Sequence, residues 1–266
     1  MKARRVMSTI RAGQVLLATA LFGVGFSSGA QMNGDLKAIA LSNGELPGYA
    51  LMRDAPRDWA LFTAESGAPA PCLQAKPIAV GTEQLWRRVE GEGRLRIDYA
   101  LLSSPGEAIA AANTAALLLN NATAKIEASQ TLGDSSWRTI AGSSALIVQR
   151  GAAVIYLAAQ GAQFTAEGEL RSVAGKILER IDRVQLRMNA EKLACDIQVY
   201  LGLNLIHSDK DALQRLARDL ERGGASARNS LIELKTLANA QGSAGMEREA
   251  AINLLRGTNS VAETLR

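Results

Sequence analysis

Residues 94–120 read RLRIDYALLSSPGEAIAAANTAALLLN. Arg94, Arg96 and Asp98 alternate with Leu95, Ile97, Tyr99 and Leu101. Period two describes a strand with one wet face and one dry face. The alternation stops at Ser104-Pro105-Gly106-Glu107. Ser104 fits an N-cap, Pro105 the first helical position, and Glu107 closes a capping box. Ala108 to Asn120 is then rich in alanine and leucine, strong helix formers, with little polar content. This helix is expected to pack against a sheet.

Upstream, Gln84 to Glu90 is a second strand candidate, separated from the first by Gly91-Glu92-Gly93. The pair reads as an antiparallel hairpin with a three-residue loop. Tyr49 to Met52 reads as an earlier strand, residues 63–77 as a loop rich in proline and glycine, and Leu36 to Leu41 as a short helix. Downstream, a second β block starts near Lys125, with strands at Trp137 to Ile140, Ser144 to Gln149 and Ala152 to Ala158. Arg150-Gly151 marks a tight turn. The apolar run Val154-Ile155-Tyr156-Leu157 fits a central strand or one buried on both faces. A helix from Glu167 to Leu186 follows, with Leu170, Val173, Ala174, Ile177, Ile181 and Val184 on one side. The order predicts an α+β fold: one antiparallel sheet with helices packed on one face.

Past residue 188 the strand signal ends. Ala190 to Leu203 reads as a helix. Ser208-Asp209-Lys210-Asp211 resembles a capping sequence and opens another, which Gly223-Gly224 closes. Ala227 to Asn239 and Met246 to Leu255 complete a C-terminal antiparallel helical segment. The predicted division is 1–30 leader, 31–188 α+β domain and 189–266 helical segment.

Four stretches carry a resemblance. They are Leu46-Pro47-Gly48-Tyr49, Ser104-Pro105-Gly106-Glu107-Ala108, Gly133-Asp134-Ser135-Ser136-Trp137, and the apolar hairpin turning at Gly151. In this order over residues 46–187 the chain resembles a secreted bacterial α+β domain family of unassigned function. The resemblance implies an exported module that binds or senses. It supplies no catalytic residues.

The formal net charge is +4, with 47% hydrophobic and 21% charged residues, a globular and not a disordered composition. The excess is local. Lys2, Arg4, Arg5 and Arg11 precede an uncharged, mostly apolar stretch, Val15 to Phe26, and then the small residues Ser27-Ser28-Gly29-Ala30. This is the pattern of a secretory signal cleaved after Ala30, and the apolar core is short for a membrane span. Without those four cations the chain is formally neutral, and so are its two parts. No basic region remains to hold nucleic acid. The protein is expected to be periplasmic or secreted, and membrane-associated only if the leader stays. In that compartment an even cysteine count favours a Cys72–Cys195 disulfide over two buried thiols.

A search for chemistry finds no catalytic set, metal-ligand pattern or cofactor loop. There is no G-x-S-x-G elbow and no phosphate-binding glycine motif. The single histidine, His207, reads as a loop or capping residue. Arg87, Arg88, Arg94 and Arg96, with Trp86, crowd the first hairpin and form the candidate ligand-binding surface. Glu90, Glu92 and Asp98 interleave as cross-strand counter-charges. Trp59, Trp86 and Trp137 read as core. The function expected is an exported non-enzymatic binding, sensing or accessory module, with the C-terminal helices offered to a protein partner. The alternative is an exported hydrolase with a carboxylate or serine site.

Overall fold

A computed structural model describes residues 23–57, 72–73, 80–120, 125–129, 132–141, 144–161, 167–184, 187–240 and 245–264. Residues 1–22, Trp59 and nearly all of the segment 63–77 lie outside these. Seven strands are present: β1 Tyr49–Pro56, β2 Val80–Arg88, β3 Arg94–Leu101, β4 Lys125–Ala128, β5 Ser135–Ala141, β6 Ala145–Arg150 and β7 Ala153–Gln160. Seven helices among the described residues accompany them: α1 Gly23–Ile39, α2 Pro105–Leu119, α3 Glu167–Ile181, α4 Ala190–Gly202, α5 Lys210–Arg222, α6 Gly224–Ala240 and α7 Arg248–Thr264. The fold is α+β with a C-terminal helical segment, as the element order implied.

All strands pair antiparallel in one sheet of order β1-β2-β3-β7-β6-β5-β4. Two meanders, β1–β3 and β4–β7, therefore meet at the β3–β7 seam. The connection between them is α2, which carries the chain from mid-sheet to the far edge. Crossing the sheet puts α2 on the face opposite α1 and α3. Leu95, Ile97, Tyr99, Ile155 and Leu157 pack with Leu36 and Ile39 of α1 and with Leu170, Val173 and Ile177 of α3. Ala100, Ile147 and Val154 point the other way, onto Ala108, Ala111, Ala112 and Ala115 of α2. The expectation of helices on one face thus holds for α1 and α3 alone. The β7 run is buried on both faces because α2 supplies the second cover.

Local differences have local causes. The first hairpin closes through five residues, not three, with the Arg88 N–H donating to Gly93 O at 2.8 Å. Ser104 caps α2 by accepting from the Glu107 N–H at 3.2 Å. The Glu107 carboxylate reaches back one residue further than a capping box requires, to the Ser103 N–H and Oγ at 3.1 and 2.7 Å. Helix α5 starts after Asp209, not Ser208; Asp209 sits in the left-handed region and makes no side-chain cap. Helix α3 stops at Ile181, short of the expected Leu186. Helix α7 runs on past the expected Leu255 to Thr264, through Gly257, where a Cβ would stand 2.8 Å from Leu193 Cδ1 of α4.

In the helical segment α4 packs on α5, α5 on α6, α6 on α7, and α7 returns to α4. Leu193, Ile197, Leu213, Leu216, Leu234 and Leu254 fill this second core, which Ile109 of α2 enters from the sheet side. A β-bridge between Ile206 and Met246 ties the loop after α4 to the loop before α7. The Cys72–Cys195 disulfide is present, with a Cα–Cα distance of 5.7 Å, and staples the segment before β2 to α4. No helix among the described residues is long and apolar enough to cross a membrane.

Candidate functional site

The hairpin register decides the arginine surface. Arg87 lies opposite Arg94, Trp86 opposite Leu95, Leu85 opposite Arg96 and Glu83 opposite Asp98. Period two then puts Arg87, Arg94 and Arg96 on the face away from α1 and α3, and turns Trp86 and Arg88 toward those helices. Trp86 is core, 1% exposed. Arg88 lies over the Tyr49 ring at 5.8 Å and pairs with Glu169 of α3 at 3.4 Å. Of the five residues expected at this surface, three share an accessible face. They border a hollow of about 400 Å³ with Met52, Leu85 and Gln160.

Arg96 is committed within that face. It bonds Glu83 at 2.8 Å and the buried Asp98 at 3.1 Å, and Arg57 bonds the same two carboxylates at 3.1 and 2.7 Å. Burial pushes the Asp98 carboxyl up to about 6, opposed by Arg96 and aided by the negative Glu83. Asp98 is a counter-charge as expected. Its companion is Glu83 of β2, because Glu90 and Glu92 stand exposed in the turn. Arg87 and Arg94 remain face to face without a carboxylate partner among the described residues.

A second cleft opens at the other end of β3, where the sheet meets the helical segment. Its volume is about 310 Å³. One wall is α1 with Asp35, another is the β6–β7 turn with Arg150, and the helical segment contributes Lys192 and Arg256, with Arg187 just before it. Ile39, Leu101, Leu102, Ile181 and Val184 make the interior apolar. Asp134 organises one side of it. Its Oδ2 accepts the Gly151 N–H at 2.7 Å and a bond from Arg256, and its Oδ1 stands 3.6 Å from Arg150. Arg150 also clasps Asp182 through two bonds of 2.8 Å. Gly133 makes this possible: φ is +66°, and a Cβ there would strike Gln149 O at 2.5 Å. Arg187, Lys192 and Asp35 have no ion-pair partner among the described residues.

Behind the cleft lies a buried polar seam that sequence reading missed. Asp196 of α4 accepts from Ser104 Oγ at 2.6 Å and from the Gly106 N–H. A Cβ on Gly106 would overlap its carboxylate. Burial lifts this carboxyl to about 8, with Ser104 and Gly106 opposing and Glu107 adding to the rise. Tyr200, one turn on, is raised well above its usual value, first by burial and then by Asp196 and Asp134. Asp196 Oδ2, Tyr200 Oη and the Asn253 amide make no hydrogen bond among the described residues. The available signal was an acid on an apolar helix face, between Leu193 and Ile197.

His207 is half exposed and meets Glu247 at 3.0 Å on the surface. Among the described residues no cluster of three or more His, Cys, Asp or Glu is placed to hold a metal ion. No family model, no curated protein and no solved structure matches the chain.

Proposed function

We propose that the protein is an exported, non-enzymatic binding module and that the cleft between sheet and helical segment is its ligand site. One observation carries this reading: an apolar-floored cleft of about 310 Å³ at a junction of two packed units, lined by two cations without an ion-pair partner among the described residues. Small-molecule sites concentrate in such places and fall in this range of size, roughly 300–1,000 Å³. Export rests on the leader pattern of residues 1–30 and on a disulfide, which persists in an oxidising compartment. The resemblance to a secreted bacterial α+β family points the same way. In this reading the leader leaves after Ala30, and Gln31 becomes the first residue, at the edge of the cleft.

A thermal-shift screen of the purified protein against small organic ligands tests the site. The control is Ala152→Trp, which places an indole in the cleft from the β6–β7 turn. Stabilising ligands are expected for the natural chain and not for the variant. Ligands that stabilise both equally would place binding elsewhere. N-terminal sequencing of the exported protein is expected to begin at Gln31.

A further inference from the structure

We infer that the cleft takes an organic anion: a carboxylate head held by Arg187 and Lys192, with a hydrocarbon tail on the apolar floor. This rests on the cleft being the ligand site. The charges lining it sort themselves into settled and free. Arg150 is spent on Asp182 through two bonds of 2.8 Å, and Arg256 is bonded to the buried Asp134. Arg187, Lys192 and Asp35 are left without ion-pair partners among the described residues. Together they leave the cleft with a positive excess, to which the α-ammonium of Gln31 adds once the leader has left, and an anionic head group neutralises it. Lys192 is half-buried in the first turn of α4, Arg187 is exposed just before that helix, and both line the cleft. Asp35 belongs to α1, a different wall, and repels a head group of its own sign.

The floor sets the rest of the ligand. Met32, Ile39, Leu101, Ile181 and Val184 offer a tail only dispersion contacts and release of water. A small hydrophilic anion gains none of that. A neutral amphiphile would cover Lys192 without pairing it, which costs free energy. An amphiphile with one anionic head satisfies both parts of the cleft.

Calorimetric titration of the full protein with octanoate, octanol, octylammonium and acetate distinguishes the possibilities. Octanoate is expected to bind, with octanol and acetate at least about tenfold weaker. Arg187→Ala and Lys192→Ala should each weaken octanoate about tenfold, the size of one charge-assisted hydrogen bond. Asp35→Asn should tighten it, a gain that a damaged fold would not produce. Octanol binding as tightly as octanoate, or octylammonium binding better, overturns the head-group assignment and leaves the cleft reading intact. Octanoate binding that survives Ala152→Trp overturns the cleft reading itself. No binding of any of the four to the natural protein overturns the inference.

Discussion

Asp196 shows how much one buried side chain dictates around it. Ser104 and Gly106, two residues of a helix-start motif, are also the two donors to its carboxylate. Its carboxyl rises from 3.8 to about 8, chiefly because burial disfavours the charge, with Glu107 adding and Lys192 opposing. An acid with a raised folded pKa takes up a proton on folding, so stability falls as pH climbs from near 4 to about 8 and then levels. Asp98, raised to about 6, acts in the same direction over the lower part of that window. Asp196→Asn keeps an oxygen for both donors and has no proton to lose. We expect melting temperature to fall between pH 5 and pH 8 less steeply in this variant, by about 5 °C or more across the window. Equal slopes would show that Asp196 does not titrate there. Gly133→Ala is the second test at this scale: with φ at +66° and Gln149 O at 2.5 Å from the new Cβ, it should cost about 1–3 kcal/mol in urea unfolding.

Helix α2 is the element on which the architecture turns. It crosses the sheet, fills the face away from α1 and α3, and lends Ile109 to the helical core. Alanines let it come close: Ala108 and Ala112 are fully buried. Ala112→Leu should overpack the sheet side and cost about 1–3 kcal/mol, read from the denaturant midpoint at constant slope. The existence of α2 was plain from its cap and its composition. Its placement was not, because a helix of alanine and leucine is apolar all round and marks no single buried face. The first hairpin shows the same division. Alternation sets Trp86 and Arg88 on the opposite side of β2 from Arg87, yet it could not tell which of those sides Arg94 and Arg96 share. Pairing register fixes that, and it depends on partners in other strands. The start of α5 was misplaced by one residue because Asp209 adopts a left-handed conformation set by its surroundings.

At the scale of the whole molecule, the disulfide and the polar seam bind the sheet to the helices. Cys72 and Cys195 are 123 residues apart in sequence. Replacing both with serine should lower stability by about 3–5 kcal/mol, since opening so long a loop returns entropy to the unfolded chain. Guanidinium unfolding of the natural and double-serine proteins measures it, and coincident midpoints would mean the bridge adds nothing. The sequence by itself determined the α+β order, the helical tail, the cap of α2 and the formal neutrality of residues 31–266. Each of these follows from residues within a few positions of one another, through backbone periodicity, capping and composition. The tertiary structure alone decided which arginines share a face, where α2 lies, and that Arg187, Lys192 and Asp35 meet at one cleft. Those are facts of proximity between distant segments, set by strand pairing and by the packing of two cores. No local pattern encodes them.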